Sequence, residues 1–357
     1  MEIGIVGLPN VGKSTLFNAL TGASVAAENF PFTTIEPNVG IVPLADPRLN
    51  FLEEKNKSQK VVPAGIRFVD IAGIVKGASE GEGLGNKFLS HIRSVEAIAH
   101  VVRCFADDNV VNVTGDLNPI SACDIIETEL ILADIQQCEK VLERVEKMAK
   151  SGDKAAREKY EALTAIVAGL NNGQPVRVQN ADEKIVNEFQ FLTAKPLLYV
   201  ANTDEGHSRP ELVGALQERA TKEGAGLVVL CAKIEAEIVQ LDPNERKDYY
   251  ASAGITQPGL ARLAQEGQKL LHLVCFFTSG PQETRAWLIS RGTKAPQAAG
   301  KIHSDIERGF IRAEIYNYKD LVELGSEQAI RAKGLVRLEG KEYEIQEGDV
   351  VYFRFSV

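Results

Sequence analysis

The first twenty residues, "MEIGIVGLPNVGKSTLFNAL" (1–20), decide the fold. The apolar stretch 1–6 predicts a short β-strand. It is followed by GLPNVGKS (7–14), which fits the phosphate-binding pattern G-x-x-x-x-G-K-[ST]. Apolar residues then recur at helical spacing over 16–20. A strand, a glycine-rich loop and a helix in this order predict an α/β P-loop nucleotide-binding domain with a doubly wound, mostly parallel sheet.

The glycine-rich loop carries the first group of predicted site residues. Backbone N–H groups in such a loop, at the start of a helix, face an anion and favour it electrostatically. Lys13 would reach the β- and γ-phosphates and stabilise charge during hydrolysis, and the Ser14 hydroxyl would ligate Mg²⁺. The nucleotide-binding residues predicted here are Asn10, Val11, Gly12, Lys13, Ser14 and Thr15. The alternative is an ordinary glycine-rich turn, which the strand before it and the helix after it disfavour.

Two later stretches supply the parts that a phosphate-sensing switch needs. The loop "NFPFTTIEPN" (29–38) places Thr34 where a threonine completes the Mg²⁺ shell when the γ-phosphate is present. The predicted strand that starts at 66 ends in the D-x-x-G pattern from Asp70 to Gly73. Asp70 would hold a Mg²⁺-bound water, and the Gly73 N–H would contact the γ-phosphate.

The stretch "LLYVANTDEG" (197–206) predicts the site that reads the base. Guanine-specific switches carry N-K-x-D here, whereas this chain has Asn202, Thr203 and Glu205 at the three motif positions. Adenine presents an acceptor and an amino donor at the edge that such a carboxylate reads, so we expect guanine selection to be lost. "CAK" (231–233) resembles the S-A-K loop that touches the base, and adds Ala232 and Lys233 to the predicted site. The alternative is that Asn202 and Glu205 only cap a turn.

The bulk composition excludes several classes of protein. With 357 residues the chain is long for one domain, and its net charge of −9 argues against general nucleic-acid binding without a local basic patch. None of its five cysteines forms a C-x-x-C pair, which argues against a zinc site or a disulfide framework. The sequence shows no signal peptide and no stretch long enough to span a bilayer. We therefore expect a cytoplasmic protein without a membrane partner, and a monomer.

The remaining chain predicts two further domains. Apolar residues at heptad-like spacing over 131–145 and 160–170, on either side of Ser151-Gly152-Asp153, indicate an antiparallel helical hairpin. From 279 onward the predicted strands and helices suit a small ubiquitin-like β-grasp fold. The predicted division is a nucleotide-binding domain (1–127 and 193–278), a helical coiled-coil insertion (128–192) and a C-terminal domain (279–357).

Residues 285–312 carry a local surplus of positive charge, which suits contact with RNA phosphates. A solvated basic face is the alternative interpretation. The basic residues of this stretch are Arg285, Arg291, Lys294, Lys301, Arg308 and Arg312.

Five stretches together resemble the YchF group, the Obg-like ATPases: GLPNVGKST, NFPFTTIEPN, DIAGIVKGASEGEGLGN, the altered N-x-x-E, and RAWLISRGTKAPQAAGKIHSDIERGFIRAE. The resemblance covers essentially the whole chain. It implies a translation-associated P-loop ATPase. The altered stretch from Asn202 to Glu205 predicts that ATP binds more tightly than GTP. The resemblance also implies a coiled-coil insertion, a C-terminal TGS domain, and association with the ribosome and its RNA through these two parts.

The motifs above do not identify the residue that activates the attacking water. Ras-like switches place Gln directly after D-x-x-G, where this chain has Ile74, and an aliphatic side chain cannot bind water. Many members of the family carry a His in the loop after "HVVRCF" (100–105); at the aligned position this chain has Asn112, which could orient a water but not take its proton. Asn10 resembles a residue that helps to hold K⁺ in related GTPases. Three functions stay open: a slow ATPase switch on the ribosome, a GTPase of the same architecture, and a nucleotide-gated binding module with incidental hydrolysis.

Overall fold

The computed structural model describes residues 1–26, 38–71, 84–107, 110–111, 117–253 and 255–356. They form two compact units. The first contains 1–22, 38–40 and 67–266, apart from the gaps just given, and the second contains 41–66 and 267–356 as its main parts.

The first sheet has six strands in the order β2-β4-β1-β5-β6-β7. Strands β4, β1, β5, β6 and β7 are paired in parallel throughout. The strands are β1 (Glu2–Val6), β2 (Val39–Pro43), β4 (Gly65–Asp70), β5 (Ala97–Arg103), β6 (Leu197–Asn202) and β7 (Gly226–Leu230), and β3 (Lys60–Val62) belongs to the second sheet. Every residue of β5 and β6 is buried, as expected for central strands covered on both faces.

Helices connect these strands, as a doubly wound α/β fold requires. They are α1 (Lys13–Ala26), α2 (Pro47–Asn56), α3 (Leu84–Ser94), α4 (Pro119–Lys150), α5 (Lys154–Asn171), α6 (Glu183–Phe189), α7 (Pro210–Glu223), α8 (Ala232–Ile238), α9 (Pro243–Ser252) and α10 (Gly259–Leu270), with 3-10 turns at Val176–Val178 and Leu192–Ala194. The strand order reverses direction at β1, because β4 lies on one side of it and β5 on the other. This is the position where such sheets bind ligands at the carboxyl ends of their strands.

Helices α4 and α5 form the predicted antiparallel hairpin. Its turn is Ser151-Gly152-Asp153, where Gly152 has φ 97° and Asp153 accepts a hydrogen bond from the Ala156 N–H as the N-cap of α5. The predicted seam is buried at Ile131, Cys138, Leu163 and Leu170. Helix α4 begins at Pro119, ahead of the predicted start of the insertion at 128.

A buried carboxylate fastens the segment that follows the hairpin. Asp134 of α4 accepts hydrogen bonds from the Leu192 N–H (2.9 Å), the Thr193 N–H (2.9 Å) and the Thr193 hydroxyl (2.7 Å). Its burial raises the pKa of the carboxyl group, and these three donors oppose that rise.

The second sheet has the order β11-β10-β12-β8-β9-β3. Its remaining elements are β8 (Leu273–Ser279), β9 (Glu283–Ser290), α11 (Ala295–Gly300), α12 (Ser304–Arg308), β10 (Phe310–Asn317), α13 (Tyr318–Leu324), α14 (Glu327–Ala332), β11 (Arg337–Glu339) and β12 (Asp349–Phe355). Strands β8 to β12, with α11 and α12 before β10, have the order expected of a β-grasp. Its core contains Phe276, Ile289, Ile315 and Phe353.

The compact units divide the chain at other points than the predicted domains. Strand β8 begins at Leu273 and pairs with β9 along its length, so the second unit starts before 279. Strand β3 adds to the edge of β9 in parallel, although 60–62 fall inside the predicted nucleotide-binding domain. This pairing joins distant segments and leaves no local pattern in the sequence. Within the described residues, no helix is both long and apolar enough to cross a membrane.

Candidate nucleotide-binding site

The phosphate loop runs from β1 into the first turn of α1. The Leu16 N–H donates to the Gly12 carbonyl (2.9 Å) at the start of the helix. Gly12 has φ 89°, and a Cβ there would lie 2.1 Å from Nδ2 of Asn202. Asn10 adopts φ 64°, a conformation that Asn tolerates better than most residues. Position 12 therefore requires glycine for two reasons: its φ is positive, and a side chain would collide with Asn202.

Lys13 contacts a carboxylate from the neighbouring strand. Its ammonium forms a partly buried ion pair with Asp70, the last residue of β4. Asp70 is also placed by its N–H, which donates to the Asn38 carbonyl (2.9 Å), and by its pairing with Ile5 of β1. The structure thus brings together two of the predicted phosphate and metal residues that lie far apart in the sequence.

Asn202 ties two loops of the site together. It is 4% exposed; its Nδ2 donates to the Val11 carbonyl (2.9 Å), and its Oδ1 accepts from the Ala232 N–H (2.9 Å). The predicted residues Val11 and Ala232 are therefore held to Asn202 through their backbones. An asparagine side chain suits this position because it offers a donor and an acceptor at once.

Thr203 also uses its polar groups inside the protein. Its N–H and its hydroxyl both donate to the Leu230 carbonyl, at 2.9 Å and 3.2 Å. The hydroxyl lies 2.8 Å from Nδ1 of His207 as well. A buried threonine fixed in this way holds the loop in place.

Glu205 and Lys233 form an exposed ion pair, with Nζ 3.0 Å from Oε1. The hydrogen bond to Glu205 raises the pKa of Lys233, so the lysine stays cationic. Next to this pair, Asp204 accepts hydrogen bonds from the Ser208 hydroxyl and N–H, which lower the pKa of its carboxyl group. This end of the cleft therefore carries three charged side chains that solvent reaches.

The described members of the predicted nucleotide-binding set, except Val11, line one cleft of about 1090 Å³, and Asp70 does not line it. The size of the cleft suits a small-molecule ligand. The lining residues are Leu8, Pro9, Asn10, Gly12, Lys13, Ser14, Thr15, Phe105, Ala106, Asp107, Val110, Asn202, Thr203, Asp204, Glu205, Gly206, Ser208, Cys231, Ala232 and Lys233. The wall formed by Phe105, Ala106, Asp107 and Val110 was not predicted from the sequence. The signal was its place directly after β5, since loops at the carboxyl ends of parallel strands meet at the ligand.

Three predicted residues, Thr34, Gly73 and Asn112, lie outside the described residues, as does Ile74. In the part of the chain that the structure describes, no group of three or more His, Cys, Asp or Glu side chains is arranged to hold a metal ion. Ser14 is exposed in the first turn of α1, and Asp70 lies against Lys13. Both supply oxygen donors, which Mg²⁺ prefers. These two residues fit a magnesium ion shared with a bound nucleotide.

Known proteins match the chain over its full length. A family model described as "50S ribosome-binding GTPase" matches residues 2–148, and the C-terminal model of YchF GTPases, described as "Protein of unknown function", matches 273–356. A Bacillus subtilis protein named "Ribosome-binding ATPase YchF" is 51% identical over 100% of both chains. The chain belongs to the YchF family. The Escherichia coli YchF protein of the same name is 49% identical over 100% of this chain and 99% of its own.

Solved structures agree with this assignment. The Schizosaccharomyces pombe YchF GTPase superposes with a TM-score of 0.88 and 36% identity, over 99% of this chain and 97% of the other. A GTP-binding protein from Pyrococcus horikoshii shares the fold, with a TM-score of 0.59 and 19% identity over the full length of both chains. The YchF resemblance and the P-loop α/β fold predicted from the sequence are confirmed.

Proposed function

We propose that this chain is a Mg²⁺-dependent P-loop ATPase that binds the ribosome and acts as a slow molecular switch in translation. The observation that carries the proposal is the cleft lined by Lys13 of the phosphate loop, whose ammonium is paired with Asp70, in a chain about half identical to proteins named for ribosome-binding ATPase activity. Lys13 and the loop amides would bind the phosphates, with Ser14 and Asp70 holding Mg²⁺. The ion would supply positive charge to the phosphate oxygens.

The preference for ATP rests on the base end of the cleft. A guanine-reading carboxylate accepts two hydrogen bonds from the base, whereas Glu205 is paired with Lys233. Thr203, in place of the lysine that covers guanine, turns its hydroxyl to Leu230 and His207. GTP hydrolysis by the same site is the competing proposal, because both matching family models and one solved relative are named for GTPases.

Hydrolysis is proposed to be slow in the free protein. Ile74 follows the D-x-x-G pattern and cannot bind a water. Asn112 would orient the attacking water without taking its proton, Thr34 would complete the Mg²⁺ shell, and K⁺ held with the help of Asn10 would add charge. A nucleotide-gated binding module with incidental hydrolysis is the second candidate function, and Ile74 favours it.

Contact with ribosomal RNA is proposed for the C-terminal unit and the helical hairpin. The basic residues of 285–312 differ in their surroundings. Arg291, Lys301, Arg308 and Arg312 are exposed; Arg308 also pairs with Asp305, and the half-buried Lys294 pairs with Glu342. Arg285 stacks on Trp287, with its guanidinium carbon 4.1 Å from the ring centre. The exposed members are the ones expected to meet RNA phosphates.

The test is single-turnover hydrolysis of ATP and of GTP, each with and without purified ribosomes and in K⁺ or Na⁺. We expect ATP to be bound more tightly and cleaved slowly, with ribosomes raising the rate. Faster turnover in K⁺, lost in Asn10→Ala, would support the potassium site. No cleavage of ATP in any mixture, with ATP still bound, would favour the binding module. Tighter binding and faster cleavage of GTP would overturn the ATP assignment.

A further inference from the structure

Strand β5 ends in an arginine whose side chain is turned back onto the loop that follows. Arg103 is 9% exposed, and its guanidinium donates to three backbone carbonyls. Nε donates to Phe105 (3.1 Å), Nη2 to Asp107 (3.1 Å) and Nη1 to Val110 (3.0 Å). The guanidinium carbon also lies 4.8 Å from the ring centre of Phe105. A planar guanidinium has donors on all three nitrogens, so it can hold three such carbonyls at once in a fixed geometry.

The three carbonyls belong to residues that form a wall of the cleft. Phe105, Asp107 and Val110 all line it. One buried side chain donates to all three carbonyls, and the Val110 N–H also donates to the Asp107 carbonyl (3.2 Å). Arg103 therefore helps to fix the position of this wall.

The same loop reaches the phosphate-binding backbone. The carbonyl of Val111, next to Val110, accepts a hydrogen bond from Nδ2 of Asn10 (3.2 Å). Asn10 has φ 64°, so this contact helps to hold an uncommon conformation within the phosphate loop. On its other side, Arg103 is paired in register with Asn202, and the Cys104 N–H donates to the Asn202 carbonyl (2.8 Å).

We propose that Arg103 is a positioning residue for the nucleotide: it fixes the wall formed by Phe105, Asp107 and Val110 and, through Val111, the conformation of Asn10. This inference rests on the proposed nucleotide-binding function. Arg103 acts through backbone groups and does not itself line the cleft. Its loss should therefore weaken ADP and ATP alike, in contrast to a residue that contacts the γ-phosphate.

The experiment compares Arg103→Ala and Arg103→Lys with the unaltered full-length chain, titrated with Mg·ADP and with a non-hydrolysable Mg·ATP analogue. Arg103→Ala should raise both dissociation constants about tenfold, because a misplaced wall and phosphate loop lose part of the fit to the ligand. Arg103→Lys keeps the charge and some donors, so its nucleotide affinity should lie between that of Arg103→Ala and that of the unaltered chain. The ratio of the ADP and ATP constants should stay unchanged.

Arg246 offers a matched control. It is a partly buried arginine that donates to the carbonyls of Leu241 (2.8 Å) and Val239, and neither it nor these two residues line the cleft. Arg246→Ala should lower the unfolding temperature as Arg103→Ala does, while both nucleotide affinities stay as in the unaltered chain. A purely structural role for Arg103 would make the two variants alike in affinity as well.

The outcomes separate this inference from the proposed function. If the unaltered chain binds neither nucleotide, the proposed function fails and the inference with it. If it binds both and the Arg103 variants bind equally well, only the inference is overturned. Should Arg103→Ala not fold, Arg103→Lys decides: an affinity equal to that of the unaltered chain overturns the positioning role, and a lower one at full folding supports it.

Discussion

The phosphate end and the base end of the cleft are built in different ways. At the phosphate end, backbone groups of 7–14 and one lysine form a compact anion site, and Lys13 already faces Asp70. At the base end, the two buried motif residues, Asn202 and Thr203, form hydrogen bonds with the backbone of neighbouring segments. The charged side chains left to meet the base are Asp204 and the exposed pair of Glu205 and Lys233.

This difference teaches which part of a motif carries affinity and which carries selectivity. Charge-assisted contacts to phosphates in a partly buried site are strong, whereas exposed charges are screened by water and salt. We therefore expect nucleotide affinity to come mainly from the phosphate end, and the choice between ATP and GTP to come from the weaker base end. The predictions below test this division, from the largest expected effect to the smallest.

Lys13→Ala should have the largest effect. It removes the cation at the phosphates and leaves the Asp70 carboxylate without its partner, so a second negative group then faces the ligand. Losing the lysine from a buried contact between a cation and a phosphate costs about 2–5 kcal/mol of binding free energy. This corresponds to at least about a thirtyfold loss of affinity, and we expect it for both ADP and ATP. Titration with each nucleotide measures this.

Lys150→Ala is the control for that change, because Lys150 forms an exposed ion pair with Glu146 at the end of α4 and does not line the cleft. Its nucleotide affinity should equal that of the unaltered chain. If Lys13→Ala bound ATP within threefold of the unaltered chain, the phosphate end would not dominate affinity, and the comparison would fail.

Asn202→Ala should have the next largest effect. It leaves the Val11 carbonyl and the Ala232 N–H without their buried partner, at about 1–3 kcal/mol for each group. Because both loops loosen, we expect lower stability in urea and weaker binding of ATP and GTP by the same factor. A loss confined to one of the two nucleotides would show instead that Asn202 reads the base.

Asn118→Ala controls for the loss of an asparagine that caps backbone groups elsewhere. Asn118 is the N-cap of α4 and accepts from the Ile120 N–H (2.9 Å), away from the cleft. The substitution Asn118→Ala should lower the free energy of unfolding by about 1 kcal/mol and leave the affinities for ATP and GTP unchanged.

The two ends of the cleft also differ in how far their residues could be predicted from the sequence. The phosphate loop is local, so 1–20 alone predicts β1, the loop and α1, and assigns Lys13 and Ser14. The wall of Phe105, Asp107 and Val110 carries no motif. It becomes part of the site because β5 lies between β1 and β6, and that strand order is set by non-local pairing. A buried arginine such as Arg103 looks, in the sequence, like any polar residue at the end of a strand.

The hydrogen-bond partners of Thr203 inside the protein could not be predicted from the sequence either. A threonine in place of a lysine shows that a contact to the base is missing, but the partners that its hydroxyl takes instead come from Leu230 and His207. In the second unit, β3 joins β9 by parallel pairing between segments far apart in the chain. Local pattern predicts elements, whereas side-chain partners and edge strands depend on which segments the fold brings together.

The double change Thr203→Lys with Glu205→Asp restores N-K-x-D and should move selectivity without a large loss of affinity for phosphates. A shorter carboxylate can accept from the guanine N1–H and amino group, and the lysine stem can cover the ring once it leaves the buried position of Thr203. We expect the ratio of GTP to ATP affinity to rise at least about tenfold, as sites built to hydrogen-bond one ligand reject another. Competition titrations measure the ratio. An unaltered chain that already binds GTP tenfold more tightly than ATP would show the adenine interpretation to be wrong.

Lys233→Met should have the smallest effect, and it tests the base end alone. The ion pair with Glu205 is exposed on both sides, and such pairs contribute about 0–1 kcal/mol. ATP affinity should therefore change by less than about fivefold, and stability in urea should not change measurably. The ratio of GTP to ATP affinity should nevertheless rise, because the freed carboxylate can accept from guanine donors. High salt screens the pair in the unaltered chain and should bring its ratio toward that of the variant. Glu205→Gln removes the acceptor charge and should leave no salt dependence. A loss of ATP affinity in Lys233→Met as large as that in Lys13→Ala would mean that the two ends contribute alike, and the division between affinity and selectivity would have to be given up.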